Sequence, residues 1–197
     1  MRELVNDLYQ LSDNSALFDH LRAGGDLTAL ANRLADSSAV PAKTVRVELL
    51  RAFRDAIVPA LQSNDPSGLD KLIEDAHLND RVTIFGELIL TLYALREGKH
   101  SSECVDALLN RPIPLARDLA RAFEAAQPQD TDDEELLAHG VAMREWAHLL
   151  SGYYQAAGLV GPAAELLLVR ARVTNSTLSA WPHLVGPAMI DLALALE

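Results

Sequence analysis

The sequence predicts an all-α protein, a compact bundle or short solenoid of about ten short antiparallel helices. Glycine, proline or a capping side chain punctuates the chain at intervals of roughly 10 to 25 residues. Nearly every segment between these stops carries apolar residues at i, i+3 and i+4, the spacing that lines one face of a helix. No plausible strand pair or Asn-Gly hairpin turn occurs. We therefore interpret residues 1–197 as a single domain, with a possible division into 1–127 and 131–197.

Five helices are predicted ahead of residue 80. Asn14 or Ser15 is expected to cap the second and Asp26 the third, and Pro41 suits the first position of the fourth. Pro59 lies inside that fourth helix, so a kink or a break is expected there. The apolar faces of these five helices are formed by Leu4, Val5, Leu8 and Leu11; Leu17, Phe18 and Leu21; Leu27, Leu30 and Leu34; Val45, Leu49, Phe53 and Ile57; and Leu69, Leu72, Ile73 and Ala76.

The segment 81–96, RVTIFGELILTLYALR, is the most apolar run in the chain. Wound as a helix it is apolar on nearly every side, which is typical of a helix surrounded by others. One narrow strip remains for Thr83, Glu87 and Ala94, and this strip is expected to reach solvent. If it were covered, the Glu87 carboxylate would need a partner or a proton. Asp80 is the expected N-cap, and Gly98 the expected C′ residue with a positive φ.

Helices continue through the second half of the chain. Ser101 or Ser102 caps a short one that ends before Pro112, and Pro114 starts the next. The sequence Thr131-Asp132-Asp133-Glu134 has the form of a capping box that opens a long helix to about Ala157. Pro162 is expected to open another helix, and residues 188–196 a last short one.

Composition limits the classes of function. The net charge of −11 and the pI near 4.9 oppose broad binding to nucleic acid or to an anionic membrane. Cys104 is the single cysteine, so an intramolecular disulfide and a cysteine-based zinc cluster are excluded. No apolar run is long enough to span a bilayer, and the first residues, MRELVNDLYQ, do not have the form of a signal peptide. A cytoplasmic location is expected.

The segment 143–174 resembles a tetratricopeptide-type helical hairpin. Trp146, Leu149 and Tyr153 have the spacing of that motif's first helix, a glycine turn follows, and small residues open the second helix. Leu150 stands where the motif has glycine, and the turn is about one residue longer. Segments 88–109 and 148–168 also align with each other at an offset of 60 residues. The resemblance implies stacked hairpins that bind a peptide or a partner protein on a concave face.

Two Glu-x-x-His pairs, Glu74 with His77 and Glu145 with His148, are candidate metal ligands. Such pairs, with two further glutamates such as Glu48 and Glu87, can hold a two-metal centre inside a helical bundle. The helical wheel places Glu74, Glu145 and His148 away from the predicted inner faces, which favours a solvated surface instead. We expect no metal ion and no cofactor.

Residues 26–54 resemble a helix-turn-helix, the DNA-binding motif of many bacterial regulators. Lys43, Thr44, Arg46 and Arg51 would contact DNA, since this is the most basic neighbourhood of an acidic chain. The turn is about three residues longer than the motif's tight connection. This remains the alternative hypothesis.

The favoured hypothesis is a non-enzymatic adaptor, chaperone or scaffold subunit that presents a helical surface to another protein or to itself. No phosphate-binding loop, nucleophile elbow or other catalytic motif occurs. The candidate partner-binding residues lie in the apolar C-terminal segment and are Trp181, Leu184, Val185, Met189 and Ile190. We further expect that Trp146 lies in the core, where its replacement by alanine would cost about 3–5 kcal/mol.

Overall fold

The structure of the protein is a computed structural model, and most of the residues that it describes are helical. The described residues contain no β-strand, so the predicted all-α class is confirmed for them. They are residues 2–10, 12, 14–30, 32, 45–126, 134–177, 186, 189, 190 and 193. The expected Pro41 start, the capping box at residues 131–133 and most of the last predicted helix lie outside these residues.

Nine helices are bounded within the described ranges. They are α1 (Arg2–Gln10), α2 (Ser15–Arg22), α3 (Val45–Ser63), α4 (Ser67–Asp75), α5 (Leu78–Glu97), α6 (Ser102–Leu109), α7 (Pro112–Ala126), α8 (Glu134–Ala156) and α9 (Val160–Thr177). Residues 27–30 are also helical. The Asp26 carboxylate accepts the Thr28 N–H at 2.9 Å, so Asp26 caps this turn as predicted.

The helices form two compact units. One unit comprises residues 2–80 and 87–110, and the other comprises residues 81–86 together with 111–197. Helix α7 belongs to the second unit because it packs against α9. The chain passes from one unit to the other after residues 80, 86 and 110. The sub-division at residues 127–130 stays a prediction.

In the unit of residues 2–80 and 87–110, α3 packs against both α4 and α6, and α1 against α2. Helix α3 runs without a break through Pro59, so the break considered for this position does not occur. Proline removes the hydrogen bond to the carbonyl four residues earlier, that of Asp55. Both Pro59 and Asp55 are exposed, so water can satisfy that carbonyl. The side chains with no exposure in this unit include Phe18, Phe53, Leu21, Ile57, Leu69, Leu88 and Ile89.

Helix α5 is covered on nearly all sides, as its composition predicts. It begins at Leu78 with His77 at the N-cap, so the predicted Asp80 cap is wrong and Asp80 lies in the first turn. The expected positive φ at Gly98 is also wrong, since Gly98 has φ −73° and Lys99 has φ +55°. The N–H groups of Lys99 and His100 donate to carbonyls of the last turn, which forms a Schellman motif. Glycine is needed at position 98 because a Cβ there would collide with the Leu21 carbonyl.

In the unit of residues 81–86 and 111–197, α9 packs against both α7 and α8. Two close contacts fix these helices. A Cβ added at Gly86 would lie 2.5 Å from the Trp146 indole, and one added at Gly140 would lie 2.5 Å from the Thr177 hydroxyl. The indole therefore rests directly on the backbone of residue 86. Trp146 is nevertheless half-buried rather than fully enclosed, so it lies at the edge of the core.

Two helices of this unit begin two residues earlier than predicted. Helix α7 starts at Pro112 rather than Pro114, and α9 starts at Val160 rather than Pro162. Pro114 and Pro162 occupy the third helical position, where a missing N–H costs no intrahelical hydrogen bond. Proline marks the first turn of a helix in both cases but does not identify its first residue.

Candidate functional site

The apolar C-terminal segment was the predicted partner-binding region, and part of it can be placed. Met189 and Ile190 are helical, with 60% and 62% of their surfaces exposed. Trp181, Leu184 and Val185 lie outside the described residues. Two neighbouring large apolar side chains therefore face solvent in this segment.

The outer face of α9 is a second apolar surface, which the sequence analysis did not single out. Val160 is 72% exposed and Leu168 is 41% exposed. Four residues of α9 are exposed, and none of them is charged. They are Val160, Gly161, Leu168 and Asn175. A solvated helix face ordinarily carries charged side chains. We call these four residues, together with the half-buried Ala164 beside them, the α9 outer line.

Two ion pairs join α7 to α9 along one flank of the α9 outer line. Arg172 donates from Nε and Nη2 to both carboxylate oxygens of Glu124, at 2.7 and 2.6 Å. Arg117 makes the same two-point contact with Glu165. The hydrogen bond from Arg172 holds the pKa of Glu124 below its ordinary value, and the same bond raises the pKa of Arg172. Charges on this flank are thus paired within the chain.

The hairpin of α8 and α9 covers the segment that resembles a tetratricopeptide repeat. The Ser151 hydroxyl donates to the Ala163 carbonyl at 3.2 Å, and Ala163 itself is buried against α8. The turn is closed by Gly158 at φ +77° in a second Schellman motif. Its left-handed position matches Lys99 rather than Gly98, so the two turns correspond at an offset of 59 residues instead of 60. Membership of the repeat family stays a prediction.

The predicted DNA-contacting residues are only partly described. Lys43 and Thr44 lie outside the described residues, and Arg46 lies in α3 with its side chain outside them. Arg51 is half-buried. The nearby Arg54 side chain is only 15% exposed, and its Nε lies 3.5 Å from the Asp55 carboxylate. Neither described arginine stands free in solvent as a phosphate contact would require.

The two Glu-x-x-His pairs do not behave alike. Glu74 is exposed at the end of α4, as the helical wheel predicts, and His77 follows the helix as the N-cap of α5. This pair therefore does not share one helix. Glu145 and His148 are half-buried on α8 rather than fully solvated, and Glu145 pairs with Arg144 at 3.0 Å. Among the residues that the structure describes, no group of three His, Cys, Asp or Glu side chains is placed to hold a metal ion.

Glu87 is the polar residue that sequence reasoning placed wrongly. It was expected on a strip that reaches solvent, yet its carboxylate is buried, and Ala94 of the same strip is buried too. The Ser12 hydroxyl donates to Glu87 at 2.9 Å and the Asn14 amide at 2.9 Å. Asn14 stands at the N-cap of α2 without a side-chain cap bond, and its amide NH2 group donates to Glu87. The only signal in the sequence was an acid in an otherwise apolar helix.

A small cleft of about 10 Å³ lies beside α1, α2 and α5. At its rim the Arg22 guanidinium sits 4.6 Å from the centre of the Tyr9 ring and pairs with Glu97 at 2.6 Å. The Tyr9 hydroxyl donates to Asp19. Burial, followed by this hydrogen bond, raises the pKa of Tyr9 to about 12. The polar groups of the rim thus bind each other, which gives the cleft a structural role in joining α1 and α2 to α5.

Comparison with protein-family models, with curated proteins and with solved structures found no match for this chain. No described helix combines the length and the apolar character that crossing a bilayer demands. Function has to be argued from the surfaces of the chain itself, of which the α9 outer line and the Met189–Ile190 pair are the most distinctive.

Proposed function

We propose that the chain is a non-enzymatic interaction module, an adaptor, chaperone or scaffold subunit that binds a protein through a helical surface. The α9 outer line carries this proposal, because it exposes two large apolar residues and no charge in a chain with a net charge of −11. Exposed apolar surface of this kind commonly marks a protein interface. The exposed pair Met189 and Ile190 supports the same function.

The tetratricopeptide-like hairpin is consistent with this proposal. Helix α9 packs closely against α8, and α7 also packs against α9. Stacked helical hairpins present extended surfaces to peptides and partner proteins. The acidic composition and the single cysteine favour action in the cytoplasm.

Affinity capture with matched surface variants tests the function. The tagged full chain is used as bait in lysate of the source organism, with and without nuclease, and eluted across a salt gradient. We expect a discrete protein that survives nuclease treatment and is lost with Leu168→Glu or with Met189→Glu combined with Ile190→Glu. Ala138→Glu, which adds the same charge at an exposed position of α8, should leave capture unchanged.

Two outcomes would overturn the proposal. Recovery of DNA that elutes steeply with salt, and is lost with Arg46→Glu, would establish the helix-turn-helix alternative. Capture of the same proteins by the wild type and by all apolar-to-acidic variants would mean that these surfaces bind no partner.

A further inference from the structure

We infer that the partner of the α9 outer line is a second copy of this chain, packed antiparallel so that Leu168 meets Leu168 on a two-fold axis. This inference rests on the proposed interaction function and identifies its partner.

Spacing makes the surface complementary to itself. Gly161, Leu168 and Asn175 are seven residues apart, so they fall within about 20° of one another per step along a single side of the helix. Their shared exposure confirms that this side faces away from α7 and α8. With Leu168 on the axis, Gly161 of one copy faces Asn175 of the other. Nothing lies within 4 Å of a Cβ placed at Gly161, so the second helix has room to approach there.

Charge selects the same partner. An occupant with charged residues along its contact face would bury them against Leu168 without partners, which is costly. The occupant must therefore present an uncharged line, as this chain does. The α9 outer line carries no acidic side chain, so two copies do not repel each other at this surface. Their net charges of −11 cause repulsion only between other parts of the two chains.

The flanking ion pairs fit the antiparallel arrangement. Glu165 and Arg172 lie on the flank that faces α7, where they bind Arg117 and Glu124. In an antiparallel pair the same flanks of the two helices adjoin. Glu165 of one copy then faces the residue next to Arg172 of the other. The two-fold symmetry creates this approach of opposite charges twice. The result is a row of alternating charges, Arg117, Glu165, Arg172 and Glu124, that crosses the interface. In a parallel pair opposite flanks adjoin, so Glu165 of one copy would not approach Arg172 of the other.

One helix face buries less than the ~800 Å² per partner of a standard stable interface, so we expect a concentration-dependent equilibrium rather than a permanent dimer. Sedimentation velocity of the full chain, from about 1 µM to about 1 mM, measures it. Leu168→Glu should weaken the dimer at least about tenfold, because it removes the central apolar contact and places two carboxylates on the axis. Ala138→Glu is the control of equal charge, and circular dichroism checks that each variant keeps its helices.

Cysteine cross-linking tests the register, with Cys104→Ser as the background. Leu168→Cys should form a covalent homodimer on mild oxidation. A mixture of Gly161→Cys and Asn175→Cys should form the mixed dimer, while neither variant alone should cross-link. Cross-linking of Gly161→Cys to itself would overturn the antiparallel arrangement.

A chain that stays monomeric over the whole concentration range would overturn the inference, as would a dimer insensitive to Leu168→Glu. Neither result decides the proposed function, which is tested separately by whether a discrete protein is captured and is lost with the apolar-to-acidic variants. Conversely, a dimer with the expected register that captures DNA alone would uphold the inference on self-association and refute the interaction module.

Discussion

At the scale of single residues, Glu87 holds the segment of Ser12 and Asn14 against α5. Its carboxylate accepts hydrogen bonds from Ser12 and Asn14, which lie 75 and 73 residues away in the chain. The helical wheel identified Glu87 as the exception in an apolar helix but gave no means of telling which segment would cover it. Apolar periodicity shows on which face of a helix a residue lies, whereas its burial depends on which distant segments of the chain pack over that face. This is why the sequence analysis placed Glu87 in solvent.

Replacing Asn14 with alanine should therefore destabilise the protein. The substitution leaves a buried carboxylate without one of its donors, at a cost of about 1–3 kcal/mol in the free energy of unfolding. Asn14→Asp should cost more at neutral pH, because it sets a second carboxylate beside the first. Urea unfolding measures both, with Gln10→Ala at an exposed position of α1 as the control. Equal stability of Asn14→Ala and the wild type would contradict this role for the amide.

Tyr9 should make stability fall at high pH. Burial and the bond to Asp19 raise its pKa from 10.0 to about 12 in the folded chain, so the folded state keeps a phenolic proton that the unfolded state loses. Its contribution is fully present below pH 10 and is lost as the pH rises through 12. The free energy of unfolding should decline less steeply over this range in Tyr9→Phe than in the wild type. Parallel pH profiles would refute the assignment.

At the scale of helices, apolar periodicity and capping residues in the sequence correctly predicted that helices form and where several of them are capped. Ser101 caps α6 by accepting the Cys104 N–H, and Asp26 caps the turn at 27–30. The sequence did not distinguish between a glycine required for its φ and one required for lack of space. Gly98 belongs to the second kind, and the left-handed position falls on Lys99. Nor could it show which side of α9 remains uncovered, because that depends on how α7 and α8 pack.

Gly86 tests one such contact between helices. Gly86→Ala would gain up to about 1 kcal/mol of helix propensity but would place a methyl group against the Trp146 ring, and overpacking costs about 1–3 kcal/mol. We expect net destabilisation in thermal or urea unfolding. Gly161→Ala, where no atom would contact the methyl group, should not destabilise. In a Trp146→Ala background the cost of Gly86→Ala should disappear, and an undiminished cost would contradict the contact.

At the scale of the whole chain, the all-α class and the α8–α9 hairpin could be predicted because they follow from local periodicity. Which segments of the chain belong to which compact unit could not be predicted. Residues 81–86 of α5 join residues 111–197, and no pattern in the sequence assigns one short segment of a helix to a distant part of the chain.

A fragment of residues 111–197 should consequently fold poorly by itself. It lacks Gly86, so the Trp146 indole loses the backbone on which it rests. With Trp181→Phe, Trp146 is the single tryptophan, and its emission should shift to longer wavelength relative to the full chain carrying the same substitution. Melting followed by circular dichroism should also be broader. An identical spectrum and an equally sharp transition would show that residues 81–86 are dispensable.

The contacts that fasten the N-terminal helices also constrain the order of events during synthesis. Ser12 with Glu87, Arg22 with Glu97 and Leu21 with His100 are each separated by 75 to 79 residues. At about 5–20 residues per second, a ribosome needs on the order of 4 to 15 s to add that stretch. Helices α1 and α2 must wait that long, with Phe18 and Leu21 uncovered, before α5 has emerged to receive them. Helices α1 and α2 are therefore made before α5 and reach their final packing only after it.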